Sequence, residues 1–117
     1  MEGMQTQSNI EKKEKQKTYN LRLEGDVLKL SFGAPASNIE IVKDAIEEVN
    51  RLVSAGELLS GKMIKLNGPA SLPVAVAITN SVSGLFEVVA VFDPKLNGYV
   101  VSISSDSAYE IGSVLPA

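Results

Sequence analysis

Met63-Ile-Lys-Leu-Asn-Gly-Pro-Ala-Ser-Leu-Pro-Val74, running on to Val88-Val-Ala-Val-Phe92, is the stretch that decides the fold. Met63–Leu66 reads as a short strand. From Leu72 to about Gly84 the residues are small and apolar, which predicts a helix entered through Pro73 in its first turn, where the missing amide costs nothing. Val88–Phe92 is a continuous apolar run with β-branched residues, the mark of a strand buried on both faces. Strand, helix and strand in that order make a right-handed crossover with parallel pairing.

Upstream, Tyr19, Leu21 and Leu23 alternate with polar residues, as do Leu28, Leu30 and Phe32. Glu24-Gly-Asp26 separates the two runs, so this is a β-hairpin with one buried face. Ser37-Asn-Ile-Glu40 has the form of a capping box. Ile39, Val42, Ile46, Val49 and Val53 then recur at steps of three and four, predicting a helix whose apolar stripe faces the core. Downstream, Asp93-Pro-Lys-Leu-Asn-Gly98 is a turn into Tyr99-Val-Val-Ser-Ile-Ser104, an antiparallel neighbour, and the tail to Leu115 offers a further edge strand. The fold class is α/β: a single-domain ββαβαββ sandwich with a mixed sheet and two helices. Residues 1–17, which include the mixed charge run Glu11–Lys17, read as a disordered polar leader without the apolar core of a signal peptide. Residues 18–117 then form the one domain that 117 residues allow.

Composition narrows the chemistry. The chain has no histidine and no cysteine, which removes disulfides, thiolate nucleophiles and most zinc sites and agrees with a cytoplasmic location. Net charge is −3 with no clustered basic surface outside the leader, so DNA is not an expected partner. Residues 66–86 carry no charge, but prolines, glycine and hydroxyl or amide residues interrupt them, and no membrane span is expected.

Two loops hold the candidate chemistry. Asn67–Ser71 lies between a strand and a helix N-terminus, where free amides and the helix dipole favour an anion; a plain turn with Ser71 as N-cap explains the same residues. Asp93 suits a metal, a hydroxyl or a turn cap, and Lys95 suits a phosphate. Asn80, Ser104 and Ser105 are less specific hydrogen-bonding groups. Gly56–Lys62 looks like part of a phosphate-binding loop, but Met63 replaces the required hydroxyl and the segment precedes its strand, so it carries no function.

Asn67-Gly-Pro-Ala-Ser-Leu-Pro-Val74, Ala90-Val-Phe-Asp-Pro-Lys-Leu96, Tyr99-Val-Val-Ser-Ile-Ser104 and Ile111-Gly-Ser-Val114 together resemble the third Csx family of CRISPR-associated proteins, over about residues 63–114. Those are ring nucleases of type III CRISPR systems, also described as metal-dependent RNA deadenylases. The resemblance implies a cytoplasmic antiviral-defence protein that binds cyclic tetra-adenylate or short RNA, as a homodimer that assembles further on its ligand. It implies Asp93 as the catalytic residue and the ligand of any divalent metal (Mn or Mg). Asn67, Gly68, Ser71, Asn80, Lys95, Ser104 and Ser105 are the expected ligand contacts. The family's histidines on the second helix and after the last strand are absent here; Asn80, Ser81 and Ser83 occupy the helix and Ser105 follows the strand. Without that ligand and base, the expectation is messenger binding with weak or no ring opening. The alternatives are a fully active ring nuclease and a structural relative without ligand.

Overall fold

The computed structural model describes residues 16–117, so the leader expected over 1–17 lies outside it except for Gln16 and Lys17. The elements are β1 (Tyr19–Glu24), β2 (Val27–Phe32), α1 (Asn38–Ser54), β3 (Gly61–Asn67), α2 (Leu72–Ser83), β4 (Phe86–Asp93), β5 (Gly98–Ser104) and β6 (Val114–Pro116). One sheet holds all six strands in sequence order. β1 and β2 form the hairpin, β2, β3 and β4 run parallel, and β5 and β6 return antiparallel. The two crossover helices cover one face, completing the expected α/β sandwich, with β6 as the added edge strand.

The main core lies between helices and sheet, around Tyr19, Leu28, Ile64, Leu66, Val74, Ile78, Val82 and Val89. A smaller cluster of Val88, Ala90, Tyr99 and Val101 lies on the other face, with Tyr109 and Leu115 packed against it. β4 is therefore buried on both faces at Val88, Val89 and Ala90, while Val91 is exposed. Pairing shifts from Val89↔Ile103 to Ala90↔Val101. Ser102 is thus the extra residue of a β-bulge, which turns Ile103 to the helix side. No described helix is long and apolar enough to cross a membrane.

α1 corrects the expected stripe. Its buried residues are Ile41, Ala45, Glu48, Val49 and Leu52, while Ile39, Ile46 and Val53 are exposed. Both sets have helical spacing; polar ties to the chain entering β1 select between them. The Thr18 amide and hydroxyl donate to Asp44 at 3.2 and 2.7 Å. Lys17 Nζ lies 2.8 Å from Glu48, which also accepts from Arg51 Nε and Nη2. Burial pushes the Glu48 carboxyl up, but the hydrogen bonds and charges of Arg51 and Lys17 outweigh it and hold the group below its ordinary value. The capping box does not form either: Ser37 is the N-cap, yet its side chain makes no cap hydrogen bond.

Candidate functional site

Parallel pairing of Leu66 with Val91 carries the ends of β3 and β4 to one edge of the sheet. The chain leaves the sheet there at Gly68 and, two residues past Val91, at Asp93. In open α/β sheets this strand-end edge is where ligands settle. The Asn67–Ser71 loop and the Asp93–Gly98 turn therefore leave the same edge of the sheet, from adjacent strands.

Three contacts fix the first loop. Gly68 has φ +138°, and a Cβ there would lie 1.9 Å from the Leu30 carbonyl oxygen on β2, so only glycine fits. The Tyr19 hydroxyl donates to the Pro69 carbonyl at 2.5 Å, beneath an edge-to-face contact between Tyr19 and Phe32 with centroids 5.3 Å apart. Burial pushes the Tyr19 phenol up to about 12, which keeps it a neutral donor. Ser71 caps α2 by accepting from the Val74 amide at 3.4 Å and donates to Asn38 on α1 at 2.8 Å. Pro73 sits in the first turn. The amides of Ala70, Ser71 and Leu72 bond to no described residue. They gather at the positive end of α2, a setting suited to an anion.

Asn67 points to the uncovered sheet face, where its amide donates to the Tyr99 hydroxyl at 3.0 Å. Tyr99 meets Phe92 edge-on and lies under Lys65, whose Nζ is 5.5 Å from the ring and 3.2 Å from Asp26. In the adjoining turn Asp93 Oδ1 accepts from the amides of Lys95 and Leu96 at 2.8 and 3.3 Å. This is turn-cap geometry; the second carboxylate oxygen has no partner among the described residues. Asn97 takes φ +47° to close the turn, and Gly98 is obligatory because β6 passes over it: a Cβ would lie 2.6 Å from Val114 Cγ1. Lys95 is exposed and forms no ion pair among the described residues.

Not every expected contact joins this edge. Because β5 runs back antiparallel, Ser104 pairs with Val88, five residues from Asp93 and about 16 Å along the strand. Ser104 there exchanges hydrogen bonds with the Asp106 backbone, and Ser105 donates to the Glu87 carbonyl. Lys62 joins that far edge through Asp106 at 2.7 Å and Glu87 at 3.1 Å; its hydrogen bond, followed by that of the Ala108 amide, holds the Asp106 carboxyl below its ordinary value. Asn80 lies on the outer flank of α2, about 12 Å along the helix from its start. Of the expected contacts, Asn67, Gly68, Ser71, Asp93 and Lys95 thus share this edge within one chain.

No three His, Cys, Asp or Glu side chains cluster as a metal site among the described residues. Asp93 is a lone carboxylate with one oxygen occupied by amides, a donor set that does not fit a resident Mn or Mg. Sequence reasoning missed Tyr19 and Tyr99, whose roles come from partners 50 and 32 residues away; no local pattern announces either. No protein-family model, curated protein or solved structure matches this chain.

Proposed function

We propose that this chain binds cyclic tetra-adenylate, the second messenger of type III CRISPR systems, and opens its ring weakly or not at all. The observation that carries the reading is the shared sheet edge of the two loops: β3 and β4 end there in parallel, one running into the α2 start, where three amides have no partner among the described residues, and the other into the turn bearing Lys95. Amides and a lysine are what successive phosphates need, and the same two loops carry the family resemblance. The ligand spans more than one chain in this reading, so a homodimer, assembling further on the ligand, is the binding unit.

The edge offers no histidine as base or metal ligand, and Asp93 is engaged in its turn. Any ring opening then relies on alignment of a ribose 2′-hydroxyl with its neighbouring phosphate, an orientation effect worth several kcal/mol without a strong base. The protein therefore sequesters the messenger or removes it slowly, within the cytoplasm where the messenger is made.

Labelled cyclic tetra-adenylate incubated with the full chain, read by gel shift and product chromatography, tests this. The expected result is a shift at micromolar protein with little linear product over an hour. Rapid conversion would identify an active ring nuclease, and no shift would leave a structural relative without ligand.

A further inference from the structure

Arg22, Lys29 and Lys65 form no run in the sequence, but the sheet gathers them. Their strand neighbours Leu21, Leu28, Leu30, Ile64 and Leu66 belong to the helix-side core, so alternation puts all three cations on the opposite face. Arg22 stands directly opposite Lys29, Lys29 opposite Asn67, and Lys65 two residues before Asn67 on β3. Neighbouring strands lie about 4.8 Å apart, so these side chains make one patch. Like charges set directly opposite each other weaken a strand pair, yet the hairpin keeps them there. Glu24 holds Arg22 and Asp26 holds Lys65, both from the hairpin end of the face. Lys29 pairs with no carboxylate among the described residues. Toward the strand-end edge its neighbours are neutral: Asn67, and Asn20 paired with Ser31 across the hairpin. A hollow of about 360 Å³ lies against Asn20, Arg22, Lys29 and Ser31.

Tyr99 adds a buried donor. It is 6% exposed, and its hydroxyl accepts from the Asn67 amide at 3.0 Å, which brings it beside Lys29 on the next strand. The phenolic proton has no acceptor among the described residues, although a buried tyrosine hydroxyl ordinarily finds one. An uncompensated ammonium, a guanidinium with N–H groups to spare and an unspent O–H therefore meet in one place, and all of them donate.

We propose that this patch binds a phosphate group, free or carried on a small ester. Lys29 supplies a point charge, Arg22 a planar pair of N–H donors, and Tyr99 a neutral hydrogen bond. Two facing cations attract a dianion twice as strongly as a lone carboxylate. A nucleic-acid strand fits less well, because the face offers its bases no open ring: Tyr99 is buried and Phe92 packs edge-on against it. The α2 amides lie on the other side of the sheet and Lys95 lies in the β4–β5 turn, so this site stands without the messenger reading.

Amide NMR of isotope-labelled full-length protein, titrated with inorganic phosphate and separately with glycerol phosphate at constant ionic strength, tests it. Shifts centred on Lys29, Asn67 and Tyr99 saturate with a dissociation constant on the order of 1 mM. Lys29→Gln weakens binding about tenfold, and Tyr99→Phe, which keeps the ring, about threefold or more. Lys43→Gln removes an exposed charge from α1 and leaves the affinity unchanged. Saturation by both ligands assigns the site to phosphate esters as well as the free ion, and saturation by one of them identifies the source. Shifts that never saturate, that sodium chloride reproduces at the same ionic strength, that centre on residues 70–72 alone, or that keep full affinity in Lys29→Gln overturn the proposal.

Discussion

Tyr19→Phe separates the two jobs of one buried group. The ring remains to pack on Phe32, while the hydrogen bond to Pro69, 2.5 Å long, is lost. A bond of this kind contributes about 1–1.5 kcal/mol net, so the variant is less stable by that amount at pH 7. The pH dependence moves the other way. The phenol titrates near 10 in the unfolded chain and about 12 when folded. A folded value raised above the unfolded one gives stability fully present below pH 10 and lost as pH rises through 12. The total loss approaches about 2.7 kcal/mol, roughly half of it by pH 11. Phenylalanine has no proton to release, so the deficit closes near pH 11 and the variant becomes the more stable protein above it. Urea unfolding at pH 7, 9, 10, 11 and 11.5 measures this, and the difference between the two proteins cancels the titration of the remaining tyrosines and lysines. Curves that stay parallel through pH 11.5 would refute a buried Tyr19 donor and with it the tether on the Asn67–Ser71 loop.

Gly68→Ala forces a Cβ against the Leu30 carbonyl at an unfavourable φ; the expected cost is about 3 kcal/mol, read as a drop of roughly 10–20 °C in the thermal midpoint. Asp93→Ala loses two turn hydrogen bonds and costs about 1 kcal/mol. Asp93→Asn keeps an accepting oxygen and stays within about 0.5 kcal/mol of wild type, while any ring opening that needs the carboxylate charge disappears in both, as product chromatography would show.

Those features of the fold that depend on neighbouring residues were legible in the sequence. The hairpin, the Pro73 helix entry and the β3-α2-β4 crossover follow from alternation and turn chemistry, and the crossover alone brings Asn67–Ser71 and Asp93–Lys95 to one edge. The orientation of α1 was not legible: two stripes one residue out of phase compete, and ties from Lys17 and Thr18 to Glu48 and Asp44 decide between them. Nor does local sequence mark Ser102 as a bulge, although that residue turns Ile103 to the helix side. Grouping Ser104 and Ser105 with Asp93 followed the resemblance rather than topology, since an antiparallel β5 must end at the opposite edge.

The central claim is that messenger phosphates meet the edge formed by the α2 amides and Lys95. The most direct measurement is the affinity of full-length protein for labelled cyclic tetra-adenylate across a salt series, for wild type and Lys95→Ala. Wild type should bind at micromolar concentration or tighter. Lys95→Ala should bind about tenfold or more weakly, with a shallower salt dependence because a phosphate contact is gone. No binding by wild type, or equal affinity and salt slope in the two proteins, would contradict the claim.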